Sequence, residues 1–463
     1  MFVLTIPNTH VPERTYVANV IFREILGLMC EVEVEVATTG DVTLTGPEGK
    51  SLVFQDDLFT LSHEDWLTTR AMPRTGLPSW TVPPHLSAAL VQPEMPILFG
   101  ATLNDESWVQ EQGPQTLLGL DIWGSAFFML TRYEEDLIDA RDHHERFQGL
   151  SSTAHREGFL QRPLINEYAE ILWALMNRLW PGLERKPRDF SMFLTHDIDS
   201  PFRHAMTGPR RTAAASAKLA WIARNPLYGI NYALEWLGVR ALRRSDPHDT
   251  YDAIMNLSER HGCRSAFYFI ADRTARSDGY FPLNHPKMTR ALRRIAERGH
   301  EIGLHPSYHT YLDARQTRRE FEILKDAARR AGSTQTTWGG RQHFLRWSPT
   351  TTLANWEHAG LNYDSTLGYQ DISGFRCGVC TPFTTFDLKA RRPFSLKERP
   401  LIIMESTVLD PKYLGLAQTE VLDTILALKT TCRRFAGEFV VLWHNHRFVD
   451  PTELDFYRGL LEG

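Results

Sequence analysis

The sequence predicts an α/β protein in two parts, the second built on a parallel sheet or a β/α barrel. Three observations carry that expectation. The chain has 463 residues, more than one ordinary hydrophobic core serves. From Phe190 onward, short apolar runs alternate with amphipathic helical runs, the rhythm of βα units. Just before that rhythm begins, the segment 181–188 is polar and bounded by Pro181 and Pro187. We place a boundary there, with 1–186 a smaller α/β accessory domain and 187–463 the strand–helix domain.

In the first part, Phe2 to Ile6 reads as a strand, and Pro12 opens a helical pattern through Ile21, Ile25 and Leu28. Glu31 to Ala37 alternates Val with Glu, the period of a half-buried strand, and Ser51 to Phe54 adds another. A Pro-rich stretch from Pro73 to Pro96 promises little regular structure. Helices are expected from Asp121 to Asp136, with Trp123, Ala126, Phe127 and Leu130 on one face, and from Leu164 to Trp180. In the second part, the run before Thr195, Ser265–Ile270, the segment ending at Leu304, Leu401–Met404 and Phe439–Trp443 read as strands. Met288–Arg298, Asp313–Arg330 and Thr350–Ala359 read as helices.

Composition narrows the function classes. Hydrophobic residues make up 42% and charged residues 23%, values of a soluble globular protein. The net charge of −5 gives no reason to expect nucleic-acid binding. Met1 to Cys30 contains Glu13 and Arg14 and no uninterrupted apolar stretch, so neither secretory signal nor membrane anchor is expected, and the cytoplasm is the default compartment. Five cysteines in so long a chain make no disulfide framework, in keeping with a reducing environment.

One segment, 201–248, interrupts the strand–helix rhythm. It carries Arg203, Arg210, Arg211, Lys218, Arg224, Arg240, Arg243 and Arg244 against Glu235, up to Ser245, interleaved with residues such as Trp221, Leu227, Tyr228 and Leu234. We expect a basic helical insertion packing as a cap by its aromatic side, with peripheral contact to the inner face of a membrane as the alternative.

Two motifs carry the chemistry. Thr195-His196-Asp197-Ile198-Asp199 ends an apolar strand, and His305-Pro306-Ser307-Tyr308-His309 follows another. Together they offer carboxylates and imidazoles, the ligand mix of a catalytic zinc or similar divalent ion. Both lie at carboxyl ends of strands, where α/β folds place function. Alone, an Asp-x-Asp is more readily a turn or a helix cap before Pro201. His305 and His309 are four residues apart, and Pro306 favours a strand-to-loop transition over a helix there. The aromatic residues Tyr308, Tyr311, Trp338, Phe344 and Trp347 crowd the same stretches and could contact a ligand or simply fill the core. Cys377-Gly378-Val379-Cys380 lacks a second ligand pair and reads as structural, with neighbouring Arg376 a candidate for holding substrate.

These residues resemble the polysaccharide deacetylase family. Thr195 to Asp199 is similar to an Asp-x-Asp variant of its first motif, and Gly299-His300-Glu301-Ile302-Gly303 with His305-x-x-x-His309 is similar to its second. Gly340-Arg341-Gln342-His343-Phe344 stands where the third motif's arginine would be, without the usual proline, and Val441-Leu442-Trp443-His444 resembles the last. The resemblance implies a distorted (β/α) barrel, 187–463, that removes an acetyl group from an N-acetylated sugar of a surface-polysaccharide or glycolipid precursor. It implies a divalent metal ion, zinc by ligand softness and otherwise Co2+, Ni2+ or Fe2+. Asp199, His305 and His309 would hold the ion, Asp197 would be the general base toward water, and Arg341 would restrain Asp197. His444 would protonate the leaving amine, with His446 its competitor, and Asp364 falls near a fourth motif. Substrate contacts are assigned to Arg376, Tyr308 and Trp347. A metal amidohydrolase or O-deacetylase on another small substrate, or a non-catalytic carbohydrate-binding protein on the same fold, is the alternative.

Overall fold

The computed structural model describes residues 2–36, 40–62, 64–242, 244–279 and 281–463. Ala37, at the end of an expected strand, and Arg243 of the basic insertion lie outside the described residues. The chain forms two compact units. One is Met1–Met192 with Tyr311–Arg318 and Phe344–Val441; the other is Phe193–Thr310 with Arg319–His343 and Leu442–Gly463. The α/β class is as the sequence predicts, with a mixed α/β N-terminal part and a run of parallel strands in the C-terminal part.

In the first unit, strands β1 (Phe2–Ile6), β2 (Cys30–Val34), β3 (Val42–Thr45), β4 (Ser51–Phe54), β5 (Val109–Gln112) and β6 (Gln115–Leu118) form a sheet in the order β2-β1-β3-β4-β6-β5. Its pairings are mixed: β1 with β2 and β4 with β6 run parallel, the rest antiparallel. Period-two alternation drives Leu4, Ile6, Leu44, Leu52, Phe54 and Leu118 to full burial. Helices α1 (Ile122–Leu130) and α2 (Leu164–Leu179) belong to the same unit. The Trp123 ring meets Phe54 at 5.3 Å and Phe22 at 5.9 Å.

The sequence expectation of one helix from Asp121 to Asp136 is corrected here. Asp121 caps α1 by accepting the Gly124 N–H at 2.7 Å, but the helix ends at Leu130 and a short turn, Glu134–Leu137, follows. The break falls at Arg132, which takes φ 55° and buries its guanidinium against Glu134 and Glu135. That buried triad decides the local backbone over helical periodicity. Strands β5 and β6 were not expected, because Gln110, Glu111, Gln112 and Gln115 hide their apolar alternation.

In the second unit, β7 (Ser191–Ile198), β8 (Ser265–Phe269), β9 (Glu301–Leu304) and β10 (Gly339–Gly340) pair in that order, all parallel. Their carboxyl ends share one edge: Asp197 lies beside Tyr268, Phe269 beside Leu304, and Leu304 beside Gly340. Gly340 is needed for space, since a Cβ there would stand 1.8 Å from the Leu304 carbonyl oxygen. Gly340→Ala is therefore expected to destabilise the fold by about 1–3 kcal/mol or more. Urea denaturation would read this as a lower midpoint at unchanged slope. A midpoint equal to wild type would show that β10 can move away from β9 without cost.

The basic insertion is a helical hairpin of α3 (Pro209–Ile222) and α4 (Pro226–Ala241), followed by α5 (Tyr251–Arg260). Helix α6 (Pro286–Glu297) then leads into β9 through the φ +69° glycine Gly299. Among the described residues no helix is long and apolar enough to cross a membrane.

Candidate metal centre

Strand β7 sorts its residues by parity. Thr195 and Asp197 lie on one face, where both accept hydrogen bonds from Arg341 Nη1, at 2.8 and 3.0 Å. His196 and Ile198 fall on the other face. There His196 is buried against Phe267, with its ring nitrogens at the Trp443 carbonyl (2.7 Å) and the Ser265 hydroxyl (3.2 Å). The isoleucine between the two aspartates is thus a core residue of the opposite face. Asp199, one residue past the strand, keeps the parity of Asp197.

The segment after β9 brings His305 to Asp199. His305 is buried and its Nδ1–H donates to the Arg341 carbonyl at 2.6 Å, which leaves Nε2 on the carboxylate side. Nε2 stands 3.3 Å from Asp199 Oδ1 and 3.7 Å from Asp197 Oδ2. The segment after β10 supplies the third group. Arg341 and His343 share parity beyond Gly340, and His343 Nε2 lies 3.7 Å from Asp199 Oδ1. Among the described residues, Asp199, His305 and His343 are the one group whose ligand atoms all converge within 4.8 Å.

The donors fit a divalent ion. Ligand atoms about 2.0–2.2 Å from an ion at tetrahedral angles lie roughly 3.3–3.6 Å from one another. The spacings of 3.3 and 3.7 Å from Asp199 Oδ1 to the two imidazoles match those edges. Asp199 Oδ1 is buried and makes no hydrogen bond within the protein, a costly state for a carboxylate oxygen unless a cation is its partner. Burial would raise the Asp199 carboxyl, yet the imidazoles of His305, His343 and His444 outweigh it and hold the group well below the usual carboxylate range. Burial likewise lowers the His305 imidazole, and the Asp197 and Asp199 carboxylates outweigh that and raise it. The cluster is one that attracts positive charge.

A supporting carboxylate orients the third ligand. His343 Nδ1–H donates to Asp278 Oδ1 at 2.7 Å, and Asp278 also accepts from the backbone N–H groups of Thr274, Ala275 and Tyr308. Burial opposes ionisation of Asp278, but His343 and those amides bring its carboxyl down to about 2. A carboxylate–histidine pair of this kind fixes the tautomer that turns Nε2 to a metal. Asp278→Asn is expected to weaken zinc binding about 10–100-fold, read by isothermal titration, with circular dichroism unchanged. Unaltered affinity would remove Asp278 from the centre.

The ligand set corrects the sequence expectation at one position. His309, offered by its spacing from His305, is exposed, and its backbone N–H is bonded to Thr274 Oγ1. After Pro306 the chain turns through a loop into a single 3-10 turn, Thr310–Leu312, so the helical face that would pair His305 with His309 never forms. His343 stands in the cluster instead. Its only signal in the sequence was a departure, a histidine where the third motif resembles a family carrying proline. Asp278 gave no signal at all, being one aspartate in a loop.

The remaining expected residues divide between the units. His444 directs Nε2 to within 3.6 Å of Asp199 Oδ2, and the His446 ring lies 5.5 Å from that of His444. Tyr308 is half-buried in the same unit as the cluster, edge-on to His309 at 5.0 Å. Arg376 and Trp347 belong to the first unit. There Arg376 is buried and its fork is taken by Glu135, with Nη1 donating to the Gly368 carbonyl. Trp347 is buried beside it, 5.7 Å from the guanidinium. Their expected role as substrate contacts is corrected to core structure, because burial and an internal ion pair consume the groups a sugar would use. Asp364 is also buried in the first unit, accepting from the Thr366 N–H and hydroxyl.

Comparison with known proteins gives two family matches. Residues 2–181 match DUF7033, a family of unknown function, and residues 245–370 match the polysaccharide deacetylase family. The second match includes His305, Arg341 and His343. No curated protein matches the chain. Among solved structures, a Mycobacterium smegmatis protein described as a polysaccharide deacetylase aligns at 16% identity and TM-score 0.38, covering 61% of this chain and 85% of the other. Puue allantoinase aligns at 13% identity and TM-score 0.35 over the same shares, 61% and 85%. The protein carries a polysaccharide deacetylase domain in its C-terminal part, preceded by an N-terminal DUF7033 domain.

Proposed function

We propose that the protein is a metal-dependent hydrolase that removes the acetyl group from an N-acetylated sugar, a unit of a surface-polysaccharide or glycolipid precursor. One observation supports this reading above the others. The Asp199–His305–His343 cluster stands beside a second carboxylate held by a buried arginine, Asp197 with Arg341, and beside a third imidazole, His444. Binding alone would need only the cluster. A divalent ion there, with zinc favoured by imidazole and carboxylate donors, would polarise the acetyl carbonyl and acidify water.

The chain's own residues then divide the proton work. Asp197 takes a proton from the attacking water at Oδ2, the oxygen on the His305 side, while Arg341 holds Oδ1 in place. As the amide C–N bond breaks, His444 gives a proton to the departing nitrogen, so acetate and a free amino sugar leave. Base and acid with opposite protonation needs give a bell-shaped pH profile. Tyr308 is the aromatic residue we keep as a substrate contact. We also keep the domain boundary at 186/187, between the two matched segments.

The test is acetate release from N-acetylated oligosaccharides by the zinc-loaded full chain. Release that is lost on chelation and restored by the ion is expected. Stoichiometric metal with no release from any N-acetylated glycan would favour a carbohydrate-binding protein and sink the enzyme reading.

A further inference from the structure

The hairpin of α3 and α4 is built inside out. Gly229 lets the two helices meet at their backbones, since a Cβ there would lie 2.4 Å from the Ser216 carbonyl and 3.1 Å from Ala220 Cβ. The packed side of the hairpin therefore holds small residues. Its base is tied down by polar bonds: Trp236 Nε1 donates to the Thr207 carbonyl, Glu235 pairs with His204 at 2.5 Å, and Arg240 donates to the Ala205 carbonyl. The aromatic rings of Tyr232 and Trp236 serve this base, as a cap would. The aliphatic residues do not. Leu227, Ile230, Leu234 and Leu237 recur at helical spacing on α4 and all point outward, Leu234 at 60% exposure. At the tip, Trp221 is 81% exposed and Ile222 lies beside it.

A helix of a water-soluble fold buries such a stripe, and isolated exposed residues need no explanation; a contiguous stripe does. We infer that this hairpin is a membrane-docking element that lies in the surface of an anionic phospholipid bilayer. Charge selects that occupant over a second copy of the chain. Within 201–245 there are eight basic residues and one acidic residue, Glu235, which is already paired with His204 and Arg203. Arg210, Arg211, Lys218 and Arg224 of the same hairpin are exposed. A basic cavity of about 410 Å³, lined by Phe202, Lys287, Arg290, Arg293 and Arg294 with Asp249, adjoins the base, and burial followed by the charges of Lys287, Arg290 and Arg240 of α4 depresses the His285 imidazole on this side. Two such surfaces facing each other would repel, whereas anionic headgroups complement them. The stripe from Leu227 to Leu237 is about 15 Å long, enough to lie in the interface and too short to span it.

The test is co-sedimentation of the full chain with vesicles of equal parts phosphatidylglycerol and phosphatidylcholine, and with phosphatidylcholine alone. Binding to the anionic vesicles, falling with salt, is expected. Replacing Leu227, Ile230, Leu234 and Leu237 by Ser is expected to lower the partition coefficient about a hundredfold or more. Each of Arg210→Ser, Arg211→Ser and Lys218→Ser should lower it about fivefold. Circular dichroism and zinc content check the fold, and Trp221→Ser with Leu234→Ser repeats the test should the fourfold variant misfold. Wild type that stays in solution with both vesicles, or that binds both equally and regardless of these substitutions, overturns the inference. So does a dimer that the fourfold variant dissolves without any vesicle binding, which would assign the stripe to a second copy.

Discussion

Asp197→Asn should lower acetate release by about a thousandfold while leaving zinc affinity within a few-fold of wild type. A positioned general base contributes typically 10²–10⁴ in rate, and the amide of Asn cannot accept the proton. The size of the effect follows from how completely the carboxylate is committed. Asp197 is buried, its Oδ1 is held by Arg341 Nη1 at 3.0 Å, and Thr195 shares that nitrogen at 2.8 Å. Asp199 cannot replace it, because its Oδ1 faces both His305 and His343. The substitution is isosteric, so a fall in kcat without loss of metal separates proton transfer from ligation. A variant that lost its zinc as well would make Asp197 a ligand and overturn the division of labour between the two aspartates.

The second large effect distinguishes the two histidines. His343→Ala is expected to reduce zinc affinity by well over a hundredfold, beyond the roughly 10–100-fold expected of a supporting residue, and to abolish metal-dependent turnover. His309→Ala is expected to leave affinity within about threefold of wild type. The contrast rests on position alone: His343 Nε2 stands 3.7 Å from Asp199 Oδ1 with its Nδ1–H held by Asp278, whereas His309 is exposed. Zinc titration by calorimetry on both variants decides it. Should His309→Ala lose the metal and His343→Ala keep it, the ligand set proposed for this cleft is wrong.

Much of the fold was legible from the sequence where periodicity was strong. The strands from Phe2, Ser51, Ser265 and Glu301, and the helices from Leu164 and Ala314, fall within a few residues of their expected places, because apolar alternation or a 3.6-residue repeat was uninterrupted there. The helix Gln418–Arg434, the edge strand Phe383–Asp387 and its neighbour Arg392–Glu398 went unforeseen. The strands are short and carry Thr, Arg and Lys on their exposed sides, and the helix has a weak apolar stripe.

Of the site, the sequence by itself determined what lies on single strands. Asp197 and Asp199 take their common side from the two-residue repeat of β7, His305 and His444 follow apolar strands directly, and Arg341 follows the Gly339–Gly340 pair. Local backbone geometry is enough for such placements. Only the tertiary structure decided which groups meet. It chose His343 over His309 because the close approach of β9 and β10, permitted by Gly340, carries one loop inward while Pro306 turns the other out to solvent. It added Asp278 from a loop with no pattern to announce it. It turned the aliphatic face of the basic hairpin outward, which the sequence pattern had left open. Spacing along a chain fixes direction within one element; convergence between elements depends on register and packing, and those are set by the whole fold.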